Sequence, residues 1–218
     1  MEREEYYKNA STDVIFFAEN FFRLSYMSSP IVLTNEQKEM LLDFQNRNSC
    51  IIDTLKPCGI TLITCIFSLW YALFHENKVV FMVSPKEYTI SENFEIIKNA
   101  YESIPEWLKP PLVICNKGKI VFEGTGSVIV FSRTTSNVCR GISVSLLVSD
   151  DFSYGEKTMM NDFFMSIYPP VYASNAFQIH INSSSKRNDI FREYFKKAID
   201  GQLLLTPVLF VPSDSDKS

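Results

Sequence analysis

Apolar and polar positions along the chain follow two alternating rhythms. Apolar-rich stretches at residues 50–52, 79–83, 144–149 and 177–181 read as strands of a parallel sheet, each followed by a polar turn and then by apolar positions at helical spacing. The helical patterns cover 60–74 and 91–103, the latter stopped by Pro105, with another beginning near Asp189. Ahead of them, Ser11-Thr12-Asp13 supplies N-cap chemistry for a helix over 14–23 whose Phe16, Phe17, Phe21 and Phe22 form the expected buried stripe. A turn at Ser28-Ser29-Pro30 and an extended piece over 31–33 lead to Thr34 and Gln37, spaced as a capping box for a helix ending near Asn46. Between 110 and 131 the rhythm shortens to β runs at 112–115, 120–123 and 128–131, separated by Asn116-Lys117-Gly118 and Gly124-Thr125-Gly126. Strand, helix, strand, helix predicts an α/β fold: a mostly parallel sheet flanked by helices, with right-handed crossovers and a β-hairpin or meander insertion around 110–131. No internal repeat or interdomain linker interrupts it. The expected division is an N-terminal arm over 1–12, one domain over 13–205 and a tail over 206–218, frayed at its polar end.

Composition narrows the class of protein more than its chemistry. With 218 residues, 46% hydrophobic and 21% charged, the chain can bury a full core. A formal charge of −4 gives no global basic field, so bound DNA would need a local patch or a partner. The local basic cluster of Lys186, Arg187, Arg192, Lys196 and Lys197 is read as a solvated helix face. Five scattered cysteines and two histidines, with no C-x-x-C pair, argue against a disulfide framework or a zinc site and for reduced thiols. Neither a signal-type leader nor an apolar run of membrane-spanning length is present, which predicts no membrane association.

Candidate chemistry gathers at three strand ends. The first is the stretch from Cys50 to Leu62, a strand leading through a turn at Gly59 into a helix, the context of a phosphate-binding loop. Such a loop needs a Lys after the last Gly and a hydroxyl for Mg; here Thr61 supplies the hydroxyl but Ile60 stands in the Lys place. A plain turn between strand and helix is the other reading of the same residues. The second strand end carries Asp150 and Asp151, a metal-side and a water-activating carboxylate in one reading and an ordinary turn in the other. The third is Asn182-Ser183-Ser184-Ser185, able to sense phosphate or to cap the next helix.

Order and spacing of these pieces resemble the ATPase domain of tailed-phage large terminase subunits, the motors that package viral DNA. The resemblance runs from about Asp13 to Asp200 and includes Phe17-Ala18-Glu19-Asn20, the stretch from Glu36 to Leu41, Leu108-Lys109-Pro110, Asn116-Lys117-Gly118, Arg140-Gly141-Ile142-Ser143 and Ser149-Asp150-Asp151. It implies a P-loop NTPase-like sheet of the ASCE or RecA type. It also implies roles for single residues. Gln37 matches an adenine-contacting glutamine, and Lys56 an arginine of the phosphate loop. Gly59 and Thr61 match that loop, while Ile60 replaces its phosphate-binding lysine. Arg140 matches an arginine that senses or completes a nucleotide site, and Asp150 the metal-side aspartate. Asp151 stands where the family has a catalytic Glu, and Asn182, Ser183 and Ser184 match the motif coupling hydrolysis to movement, with its usual Thr residues lost.

A carboxylate one methylene shorter sits back by about 1 Å, and misplacement on that scale can cost about a hundredfold in rate. Three departures at three catalytic elements therefore predict a domain that acts by binding, to a packaging motor, portal, capsid or DNA, as accessory or regulator. A weak ATPase and a nucleotide-binding switch without hydrolysis are the alternatives. Weak binding of ATP with Mg is the one cofactor this leaves open. The family continues into a nuclease domain, so neither translocation nor DNA cleavage is expected of this polypeptide by itself. The expected location is the cytoplasm of an infected host cell, with association with virion or prohead and oligomerisation both open.

Overall fold

The computed structural model describes residues 3–54, 59–135, 142–182 and 189–210. The helices are α1 (Arg3–Thr12), α2 (Val14–Phe21), α3 (Asn35–Gln45), α4 (Ile60–Phe74), α5 (Glu87–Ser103), α6 (Lys157–Ala173) and α7 (Asp189–Ile199). The strands are β1 (Cys50–Thr54), β2 (Val79–Ser84), β3 (Leu112–Asn116), β4 (Lys119–Phe122), β5 (Val128–Arg133), β6 (Leu146–Ser149), β7 (Phe177–Asn182) and β8 (Thr206–Phe210). Local chemistry explains several boundaries. Asp13 accepts hydrogen bonds from the Ile15 and Phe16 amides at the start of α2, and Thr34 with Gln37 closes a full capping box on α3. Helix α5 starts a turn earlier than the apolar pattern implies, directly after Pro85-Lys86, where a proline ahead of the first turn removes no helical hydrogen bond.

One eight-stranded sheet runs in the order β3-β4-β5-β2-β6-β7-β1-β8. From β5 to β8 neighbouring strands pair in parallel, while β3–β4 and β4–β5 are antiparallel. The expected meander is thus an extension of the main sheet, because β5 aligns with β2 from Val79↔Val128 to Ser84↔Arg133. At the other edge, residues 206–210 of the expected tail form β8, in register with β1 from Cys50↔Thr206 to Thr54↔Phe210. Pro207 is tolerated there because an edge strand has one side free of ladder bonds.

Successive strand residues face opposite layers. Ile52, Val80, Met82, Leu146, Val148 and Ile179 pack under α1–α5, whereas Ile51, Phe81, Val83 and Leu147 pack under α6 and α7. Helix α4 is buried nearly all round, and its Phe67 centres an aromatic cluster with Phe44, Trp70, Tyr71 and Phe177. Residues 3–12 of the expected N-terminal arm are helical and docked: Ala10 is buried, and its carbonyl accepts a 2.8 Å hydrogen bond from Trp70 Nε1. Among the described residues no helix is long and apolar enough to cross a membrane.

Candidate functional site

In parallel sheets ligand sites form beyond the carboxyl ends of the strands, and β1, β6 and β7 bring their polar ends together there. Between β1 and α4, Gly59 has φ 70° and ψ 16°, the left-handed region that favours glycine. A Cβ at this position would lie 2.9 Å from Gln37 Nε2. The Gln37 Oε1 meanwhile accepts the Thr34 amide at 3.1 Å, so one side chain both caps α3 and lies against the glycine turn. Gly59→Ala should destabilise the protein by about 1–2 kcal/mol in urea unfolding. Adding Gln37→Ala should relieve the contact but leave about 1 kcal/mol of backbone strain. A neutral Gly59→Ala would refute this account of the turn.

In the first turn of α4, Thr61 Oγ1 donates to Asp150 Oδ2 at 2.9 Å. Asp150 follows β6, its amide bonded to the Val83 carbonyl, and its Oδ1 accepts the Asp151 amide at 2.8 Å. Burial raises the Asp150 pKa to about 6, helped by the neighbouring Asp151 carboxylate and opposed by the bonds from Thr61 and the Asp151 amide and by Lys86. Asp151 itself takes a left-handed backbone, φ 57°, a conformation aspartate adopts more readily than most residues. Its Oδ2 accepts from Thr89 Oγ1 at 2.6 Å and lies 3.3 Å from Lys86 Nζ, which also rests 3.0 Å from the centroid of the Tyr154 ring. Removing the half-buried cation leaves the buried Asp151 carboxylate uncompensated. Lys86→Met should therefore cost about 2 kcal/mol in chemical unfolding, with Lys86→Arg retaining most of it.

Asn182, at the end of β7, donates from Nδ2 to Asp53 Oδ1 at 3.0 Å, tying that strand end to the carboxyl end of β1. Lys56, Arg140, Ser183 and Ser184 lie outside the described residues. Of the other residues singled out by sequence, Gln37 meets Gly59, and Thr61 meets Asp150 beside Asp151. Ile60 turns away, 2% exposed within the core under α1–α5. Sequence reasoning missed Lys86, Thr89 and Asp53. Lys86 was open to discovery as the cation just past the end of β2, the same kind of position that the candidate loop holds after β1.

The described residues supply donors for the Mg side of a Mg-triphosphate. A hydroxyl and a carboxylate in contact, Thr61 and Asp150, are hard oxygen donors of the kind Mg takes. On the phosphate side the described residues offer Ile60, buried in the core, and Lys86, paired with Asp151, while Lys56 and Arg140 lie outside them. Among the described residues no group of three or more His, Cys, Asp and Glu side chains is placed to hold a metal ion.

No family model matches the sequence. Solved structures do match the fold. The large terminase of bacteriophage HK97 aligns with a TM-score of 0.73 at 17% identity, over 94% of this chain and 45% of that one. A large terminase from a thermophilic bacteriophage, solved with ADP, gives 0.58 at 13% identity over 83% of this chain and 46% of its own. The UvsW helicase of bacteriophage T4 gives 0.52 at 11% identity over 97% of this chain and 68% of its own. The chain thus spans a little under half the length of these two terminases, and what it shares with them is the fold of their ATPase domain.

Proposed function

We propose that this protein is a terminase-like domain that works by binding, as an accessory or regulator of a DNA-packaging assembly, and not by turning over ATP. The observation that carries this reading is the burial of Ile60: at 2% exposure, an apolar side chain occupies the place where such a loop presents its phosphate-holding cation. The pairing of Asp151 with Lys86 and Thr89 supports it, since a carboxylate so engaged is poorly placed to take a proton from water. The partners proposed are a packaging ring, a portal or capsid, or DNA alongside active subunits. No catalytic step is assigned.

The test has two parts. Purified protein given Mg and ATP, with and without DNA, should release phosphate no faster than its Asp150→Ala variant. Tagged protein recovered from infected cells should bring an active terminase subunit with it. Turnover abolished by Asp150→Ala would replace this reading with that of a weak ATPase. A second reading, a nucleotide switch without hydrolysis, is favoured by the Thr61–Asp150 contact and the placing of Gln37 over Gly59. It requires that ATP with Mg raise the melting temperature, because a ligand of the folded state must stabilise it.

A further inference from the structure

A second concave site lies at the opposite ends of the strands. It is a half-open cavity of about 380 Å³, floored by Phe67, Trp70 and Tyr71 of α4 and by His75 just beyond it. Arg47, ahead of β1, and Lys78, ahead of β2, supply its charge, and among the described residues none of those lining it carries a carboxylate. The His75 ring packs 4.9 Å from Trp70 and 4.7 Å from Tyr71, centroid to centroid, with Nδ1 at 3.2 Å from the Tyr71 carbonyl, which leaves Nε2 for another partner.

The carboxyl ends of α1, α3 and α4 also converge here, and cations often serve such ends by bonding their free carbonyls. These two do not. Arg47 donates from Nη2 to the Asn175 carbonyl at 3.2 Å, outside those helices, and Lys78 Nζ makes no hydrogen bond or ion pair among the described residues. Both charges nevertheless bear on His75, whose pKa is lowered by burial and, more weakly, by Lys78 and Arg47, against a raising bond to the Tyr71 carbonyl. Burial raises the pKa of the Tyr71 phenol, and Arg47 opposes that rise. Two cations, an imidazole and a phenol thus converge on one recess, with no acid among its described lining residues.

We propose that this cavity binds a phosphate monoester of a small organic molecule. The phosphate sits between Arg47 and Lys78, and the carbon portion lies against His75 and Tyr71. A dianion suits the site better than a carboxylate, because the guanidinium fork and the ammonium offer donors to more than one face of the same group.

Phenyl phosphate is a suitable probe, with calorimetric titration as the readout. Phenyl phosphate should bind, benzoate and inorganic phosphate more weakly, and phenol not at all. Arg47→Ala and Lys78→Ala, both at the protein surface, should each weaken binding by about tenfold. Thr61→Ala, at the far end of the sheet, should leave it unchanged. In NMR titrations the ligand should raise the His75 pKa, since an anion offsets the two cations. Three results would overturn the proposal: no binding at about 10 mM probe, binding that survives loss of both cations, or binding lost in Thr61→Ala.

Discussion

Phe67→Ala will remove about 3–5 kcal/mol of stability, close to the whole margin of many domains. Phe67 is 1% exposed and its ring meets four others: Phe44 at 5.6 Å, Trp70 and Tyr71 at 5.7 Å, and Phe177 at 5.8 Å. Those rings belong to α3, α4 and β7, so the cavity left by alanine cannot close by moving one element. Urea unfolding followed by circular dichroism gives the measurement, with Phe67→Leu expected to lose less than half as much. A loss below about 1 kcal/mol would mean that this cluster does not anchor α4 to the sheet.

A pair of buried titrating groups should make stability depend on pH in a way visible only when one is removed. His180 is fully buried beside Phe164, and burial lowers its pKa to about 4. In the unfolded chain it titrates near 6.5, so its contribution is complete above that pH and is lost as pH falls toward 4. Asp150 runs the other way. Its pKa is raised to about 6 from 3.8, so its contribution is complete at low pH and is lost as pH rises through 6. Each swing amounts to about 3 kcal/mol, and the two windows overlap, so they largely cancel between about pH 4 and 6. His180→Gln should therefore gain stability on acidification through this window, and Asp150→Asn should lose it, relative to the parent. Urea midpoints at a series of pH values for the three proteins decide it, and parallel curves would rule the coupling out.

Much of this architecture was legible in the chain. The 60–74 rhythm marked α4 with both ends correct, because Gly59 precedes it and polar residues follow. The parallel character of the sheet followed from strands alternating with helices. Strand β8 was not legible: residues 206–210 include a proline and precede a polar tail, and their pairing is set by the ladder edge of β1, which local pattern does not encode. The site was legible in the same uneven way. Gly59, Thr61, Asp150 and Asp151 stand at strand and helix ends, where sequence position nearly dictates spatial position. Lys86 and Thr89 reach Asp151 from α5 and the turn before it, and a contact between residues that far apart in the chain leaves no periodic trace.

The position of β1 in the sheet governs how the molecule is assembled. Its ladder partners are β7 on one side and β8 on the other, so Cys50 waits for Ile179 and Thr206. Pairings between such distant segments form slowly, after long loops have closed. During synthesis this apolar strand therefore emerges early and stays without neighbours until nearly the entire described chain has left the ribosome. Nascent chains halted before residue 206 should be prone to aggregate and should need chaperones that the 218-residue chain does not.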